Sequence, residues 1–461
     1  MEGEGNRANG AGGRRFGRVA CLMDHPSARV LAVHRLLRIE AEGAHAARLT
    51  DRSIPPEVSR QAVELVSGVT RQKRYLDFLL AAFYRGEVRA LDPELRQVLR
   101  IGAYDLVIRQ TAPHAAVNEA VEAAKALLHK GAASVTNGVL RALDRALRKG
   151  TLPEPASGDP ADDLAVRFSH PTWTVRRWRE RWGDESTRQF LASTNDPGRY
   201  ALRVTGGAKA VPAFVERLRA LDVGAQPSRW ADDFVEVDRL QPILRSGLLE
   251  EGACAVQDVA AGLVIRVLAP EPGERVLDAA AAPGGKAVYA ALRMGDRGEV
   301  VALDVSEAKT RLVAQAAERQ GATIVRSETG DLTTWEAETP FDRVLLDAPC
   351  SGTGVLAKRA DLRWRRSPEA LAELTALQDR LLDAAATHVR PGGLLVYSTC
   401  SVEAEENEDR VHAFLRRHAD FALEPVVQLV PEAFVEGEVY RALPHVHGTD
   451  GAFAARLRRQ S

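Results

Sequence analysis

The chain has 461 residues, 45% of them hydrophobic and 27% charged, enough to bury more than one core and to form roughly two to four domains. Residues 1–18 are rich in Gly and Arg, and no run of 18 or more apolar residues occurs, which argues against an exported or membrane protein and makes the cytoplasm the expected location. Four cysteines without a Cys-x-x-Cys pair argue against a disulfide framework or a structural zinc, and the net charge of −1 says nothing about nucleic acid until its distribution is read.

Residues 1–25 hold too few apolar groups to offset ordering entropy, and a disordered tail is expected. Residues 26–150 repeat apolar positions at three-to-four spacing, as in Val30, Val33, Leu36 and Leu37 or Val135, Val139, Leu140 and Leu143, so an all-α bundle is predicted. This segment carries 20 Lys plus Arg against 13 Asp plus Glu, a modest basic surplus. Residues 151–165, with Pro153, Pro155 and Pro160, read as a linker. Residues 166–250 read as a small helical and α/β insert. Its first helix puts Val175, Trp178 and Trp182 on one face and Arg176, Arg177, Arg179 and Arg181 on the rest. A tryptophan core face with solvated arginines is the favoured account of that helix, ahead of RNA contact. From 251 to 461, strand-like runs at 276–278, 300–304, 323–325, 343–347 and 394–398 alternate with helical stretches, which predicts a doubly wound, Rossmann-like sheet.

These five runs end in candidate chemistry. The first leads from Asp278 through Ala280, Ala281, Ala282 and Pro283 to Gly284, Gly285 and Lys286, a small-residue turn where backbone can approach a nucleotide-like cofactor at a helix start. Asp304, nineteen residues beyond Gly285, ends the next strand, where a carboxylate can accept both hydroxyls of a ribose. Asp331 closes the third strand-like segment. The remaining two runs end in Asp347-Ala-Pro-Cys350-Ser-Gly and Ser398-Thr-Cys400-Ser, which look like a pair of active-site thiols. A lone cysteine in an apolar strand is usually core packing, but two in matching motifs reverse those odds. Glu403, Glu405, Glu406 and Glu408 read most simply as a helix amino terminus. Asp450 and Gly451 read as a hairpin turn, and no metal is expected at His445 and His447, which lack nearby partners.

The combination of these three motifs resembles the RNA cytosine-5 methyltransferases of the Nol/Sun class, and residues 104–125 and 137–141 resemble the NusB-like RNA-binding module. Together the resemblance covers residues 27–459 and points to the bacterial Sun or Fmu type. It implies a NusB-like helical domain followed by a methyltransferase domain that uses S-adenosyl-L-methionine and acts on 16S ribosomal RNA, at an unpaired loop base, as a monomer. It assigns the 280–286 turn, Asp304 and Asp331 to the cofactor, with Asp331 near the adenine amine. It makes Cys400 the nucleophile at cytosine carbon 6 and Cys350 the release group. An ordinary thiol is only a few per cent ionised at neutral pH, and Lys286 is the candidate for the field that raises this share. Asp347, which is also among the expected cofactor contacts, would hold the base edge, and the resemblance puts the Arg363–Arg366 segment beside RNA. Sequence shape alone leaves the order of the two cysteines open. A transfer-RNA substrate and an idle RNA-binding assembly factor remain alternatives. The family often has Cys at Ala280 and Thr at Ala287, departures that touch cofactor affinity and remove no reacting group.

Overall fold

The structure is a computed structural model that describes residues 27–42, 54–196 and 198–461. The expected tail and Cys21 lie outside the described residues. Two compact units divide the chain, one ending at Arg177 and one running from Trp178 to Ser461. No helix among the described residues is long and apolar enough to cross a membrane.

The first unit is helical, as its apolar spacing requires, with α1 (Ala28–Glu42), α2 (Pro56–Phe83), α3 (Pro93–Val107), α4 (Pro113–Leu127) and α5 (Lys130–Lys149). Asp92 caps α3 by accepting from the Glu94 amide, with Pro93 in the first turn where its missing N–H costs nothing. Val33, Leu36, Leu65, Leu79, Leu99, Leu140 and Leu143 form its core. The expected linker is only half correct, because Pro160–Arg167 forms α6. The proline read there as a breaker is the first helical residue, and Asp159 caps the helix at 2.9 Å from the Ala161 amide. Arg74 of α2 then binds Asp162 and the His170 carbonyl, each at 2.7 Å.

Helix α7 (Thr172–Asn195) is broken at Gly183, where φ is 76°. Trp178 is buried, stacked on Trp182 with centroids 6.4 Å apart and edge-on to Phe190 at 4.8 Å, so the tryptophans form a core face. After it come β1 (Tyr200–Val204), α8 (Val211–Ala220), β2 (Ala225–Pro227), β3 (Phe234–Val237), α9 (Gln241–Arg245) and β4 (Cys254–Val256), the strands forming an antiparallel sheet of order β2-β3-β1-β4. The pairing of β4 with β1 carries this sheet past residue 250. Buried Arg203 of β1 donates to Gln257 and Gln320, each at 2.7 Å, tying the small sheet to the carboxyl-terminal half of the chain.

The rest is a sheet between two helical layers. In chain order its elements are α10 (Val259–Leu268), β5 (Arg275–Asp278), α11 (Gly285–Arg293), β6 (Glu299–Asp304), α12 (Glu307–Arg319), β7 (Val325–Thr329), β8 (Phe341–Asp347), α13 (Leu362–Arg365), α14 (Pro368–Thr387), β9 (Val389–Thr399), α15 (Glu408–Arg417), β10 (Phe421–Glu424), β11 (Val435–Glu436), β12 (Val439–Ala442), α16 (Pro444–His447) and β13 (Ala452–Arg459). The order is β11-β12-β13-β9-β8-β5-β6-β7, with β10 on β13. Strands β7, β6, β5, β8 and β9 are parallel, and β13 runs antiparallel against β9. Continuous apolar runs such as Val344–Leu346 and Leu394–Tyr397 are buried on both faces, as a covered parallel sheet demands. Helices α10, α11 and α12 pack one face, and α14 and α15 the other. The connection from β12 to β13 is not the simple hairpin turn expected at Asp450 and Gly451, since α16 intervenes.

Candidate active site

The chain reverses direction across the sheet between β5 and β8, so their carboxyl ends flank a crevice where open α/β sheets bind ligands. Register fixes what meets there. Asp278 lies opposite Leu345 and Ala302, Asp304 opposite Thr329, and Asp347 opposite Ser398. Adjacent strands β8 and β9 each continue into a cysteine turn, and the Cys350 and Cys400 sulfurs are 3.3 Å apart, within thiol hydrogen-bonding distance. The bond to Cys400 pushes the Cys350 thiol well up, and burial and the charges of Cys400, Glu406 and Asp347 add to it.

Lys286, from the first turn of α11, places its ammonium 2.7 Å from Asp347 Oδ2, and Ser398 donates to Asp347 Oδ1 at 2.8 Å. Burial works against the Lys286 charge, but the neighbouring Asp347 carboxylate overrides it and raises its pKa, with Asp278 and Cys400 acting the same way. Four of the sequence-predicted groups thus share one place: Cys350, Cys400, Asp347 and Lys286.

The small-residue turn lies beside them. Its Ala281 amide donates to Leu303 at 2.9 Å and its Gly284 amide to Ala281 at 2.8 Å, while Ala280, Ala282 and Pro283 form the outer curve before Gly285 opens α11. Gly284 has φ +105°, and a Cβ there would stand 3.0 Å from the Val313 Cα, so only glycine lets this turn lie against α12. Asp304 is buried and accepts from the Ser306 amide at 3.2 Å, with Lys309 at 3.4 Å. Asp331 is exposed, its Oδ1 taken up by the Thr333 amide and hydroxyl, whose hydrogen bonds lower its pKa.

Comparison with known proteins decides the family. The 16S rRNA methyltransferase RsmB/F model matches residues 265–458, the NusB family 26–145, and the ferredoxin-like domain of RsmF/B-like methyltransferases 170–244. The chain is 35% identical over 454 residues to the probable ribosomal RNA small subunit methyltransferase B of Bacillus subtilis, covering 95% of this chain and 100% of that one. The chain belongs to the RsmB/F family. A solved structure, PH0851, matches with TM-score 0.75 at 27% identity, covering 94% of this chain and 99% of that one. A methyltransferase homolog protein from Pyrococcus horikoshii matches with TM-score 0.56 at 30% identity over 65% and 99% of the two chains.

The cofactor of the RsmB/F enzymes is S-adenosylmethionine, and the site fits it. Asp278, at the end of β5, is 2% exposed, and neither carboxylate oxygen makes a well-formed hydrogen bond among the described residues. Burial and the charge of Asp347 push its carboxyl up to about 7 against the pull of Lys286 and the Ala280 amide. An orphaned buried carboxylate beside a glycine turn suits a ligand that carries positive charge.

Only part of the acidic cluster after Cys400 is the helix amino terminus that its composition suggests. Helix α15 begins only at Glu408; Glu403 and Glu406 precede it and are buried. Glu403 accepts from the Trp178 indole at 2.9 Å, and Arg181 reaches Glu408 at 2.6 Å. Arg363 is also buried, donating to Asn195 and the Thr194 carbonyl, while Arg366 donates to the Ser351 and Cys350 carbonyls. The histidines 445 and 447 are engaged in packing: His447 bonds the Ala433 carbonyl at 2.7 Å, and His445 lies against Trp182 and Phe190. The sequence did not place Ser398 against Asp347, Glu406 and Gln378 against the turn that carries Cys350, or Asn407 against the turn that carries Cys400. The one available signal was an Asn flanked by acids just after the second cysteine.

Proposed function

We propose that this RsmB/F chain methylates carbon 5 of a cytosine in 16S ribosomal RNA, with Cys400 as nucleophile and Cys350 as the release group. The observation that carries the reading is two thiols 3.3 Å apart, at the ends of neighbouring parallel strands, beside a lysine–aspartate pair. Carbon 5 is too electron-poor to take a methyl group unaided, so a thiolate must first add at carbon 6. S-adenosylmethionine supplies the electrophilic methyl group. Cys400 forms the carbon–sulfur bond, and the displaced electron pair makes carbon 5 nucleophilic. After methylation the carbon-5 proton passes to a base, its electron pair restores the ring double bond, and Cys400 leaves as thiolate. Once the adduct has formed, Cys350 releases its own thiol proton to solvent and, as thiolate, takes the carbon-5 proton, a task to which its raised pKa suits it. Asp347, oriented by Lys286 and Ser398, accepts from the exocyclic amine of the base. On this reading Asp304 accepts the ribose hydroxyls, Asp331 lies near the adenine amine and the 280–286 turn follows the cofactor. The target base must leave its stack, at a cost of a few kcal/mol that is smallest in a loop.

The test uses RNA containing 5-fluorocytosine, in which the carbon-5 proton is replaced. The native protein and Cys350→Ala are expected to form a covalent species stable on a denaturing gel, and Cys400→Ala none. An undiminished adduct in Cys400→Ala would exchange the roles of the cysteines. Bisulfite sequencing of cellular RNA with and without the gene reads the base and separates ribosomal from transfer RNA.

A further inference from the structure

The two cysteines are chemically alike, yet the proposed reaction asks opposite things of them, so something around the pair must tell them apart. The adjacent residues Glu406 and Asn407, both 0% exposed, each hold one cysteine turn. Asn407 accepts from the Thr399 hydroxyl at 2.6 Å and donates to the Ser401 carbonyl at 2.9 Å, bracketing Cys400 with a neutral amide. Glu406 accepts from the Ser351 amide at 2.8 Å, from the Ser351 hydroxyl and from Gln378 at 3.1 Å. In each of these contacts the Glu406 carboxyl is the acceptor. Gln378 also donates to the Pro349 carbonyl at 2.9 Å, and Arg366 to the carbonyls of Ser351 at 2.8 Å and Cys350 at 3.2 Å. The turn carrying the Cys350 sulfur is thus fixed on both sides.

We infer that Glu406 is the positioning residue of Cys350: its buried carboxylate fixes the turn that carries the sulfur and lays a negative charge against it, whereas the Cys400 turn is held by an amide. The inference rests on the cysteine roles proposed above. Glu406 is one of the charges that push the Cys350 thiol upward, behind the Cys400 hydrogen bond and burial. The other titratable and charged groups around the turn are Asp347 at the end of β8, Cys400 and Tyr397 from β9, Lys286 from α11, and Arg366. Of these, Glu406 alone is bonded to the residue after Cys350 through a side-chain carboxylate.

The experiment reads the pH dependence of Cys350 alkylation by iodoacetamide, by peptide mass spectrometry, in full-length Cys400→Ser protein with and without Glu406→Gln. Glutamine keeps the size and an acceptor oxygen and removes the charge. The alkylation midpoint is expected to fall by about one pH unit or more, and in protein that retains Cys400 the Glu406→Gln substitution is expected to lower kcat with the KM for RNA little changed. Glu406→Asp keeps the charge but withdraws it from Ser351, so an intermediate fall is expected; this variant decides the matter if Glu406→Gln does not fold. An unchanged midpoint in a folded variant overturns the inference. A shifted midpoint together with no fluorocytosine adduct at Cys400 in the parent protein would retain Glu406 as the residue that sets the thiol and sink the cysteine roles instead.

Discussion

Asp278 shows how one residue trades stability against binding. Its native carboxyl is raised to about 7, whereas an unfolded aspartate titrates near about 3.9. Between those values the native protein keeps a proton that the unfolded chain has released, so the stability of the cofactor-free protein falls as pH rises through that window and stays reduced above it. A cationic ligand reverses the preference, because it favours the ionised form. Affinity for S-adenosylmethionine is therefore expected to rise between about pH 6 and 8. Asp278→Asn should bind the cofactor more weakly, with a flat pH profile, and melt a few degrees higher at pH 8 without it. Calorimetry with and without cofactor checks both; a variant that binds normally would return Asp278 to a purely structural role.

At the scale of elements, the two cysteine turns are held together by segments distant in the chain. Gly354, four residues after Cys350, donates to the Cys400 carbonyl at 3.0 Å and accepts from Gly451 at 2.8 Å. A Cβ at Gly354 would stand 2.8 Å from both the Cys400 oxygen and the Gly451 Cα, so the β8 turn, the β9 turn and the segment before β13 meet backbone to backbone. Lys358 reinforces this junction, reaching Asp258 at 2.6 Å and Asp450 at 3.1 Å, while Asp258 also caps α10. Burial and the charge of Asp258 push the Asp450 carboxyl up to about 7, with Lys358 opposing them. Removing the lysine leaves two partly buried carboxylates facing each other. Lys358→Ala is expected to cost about 3 kcal/mol at pH 8. Because carboxyls raised in the native state gain protons as pH falls, much of that loss should be recovered toward pH 6. Urea unfolding at the two pH values measures it, and an equal loss at both would mean that charge is not the cause.

The whole molecule joins this site to a helical module whose surface has its own charge pattern. Arg141, Arg145, Arg148 and Lys149 are all exposed along α5, at spacings that put three of them on one side of the helix. Of these Arg148 is paired with Asp144, and Arg141 bonds Asn137. If this face meets the RNA backbone, replacing Arg141, Arg145 and Lys149 with Gln should raise the apparent KM for RNA. It should also flatten the dependence of that constant on salt by about 0.7–0.9 in logarithmic slope for each phosphate no longer neutralised. Cofactor affinity should be unchanged, since the turn at Gly284 belongs to the other unit. An unchanged salt slope would reassign the module to protein docking or to a structural task.

Local sequence sufficed for whatever a few neighbouring residues encode. The apolar runs ending at Asp278, Asp304, Asp347 and Thr399 form parallel strands whatever packs on them, because a covered sheet needs unbroken hydrophobic stretches. The glycine turn at 278–286 and the two cysteines at strand ends were legible as places in the fold in the same local way. Which acids are solvated, by contrast, was settled only by packing. Glu403 and Glu406 look identical to exposed helix-start residues until Trp178, 225 positions away, and Ser351, 55 positions away, are brought against them. The same holds for Asp450, a turn residue by type and an ion-pair partner of Lys358 in the fold; Pro160 differs, since the adjacent Asp159 cap that makes it a helix start is a local signal. A charge costs little in water and must be paired when buried, and burial is a property of the packed chain that no short stretch of sequence carries.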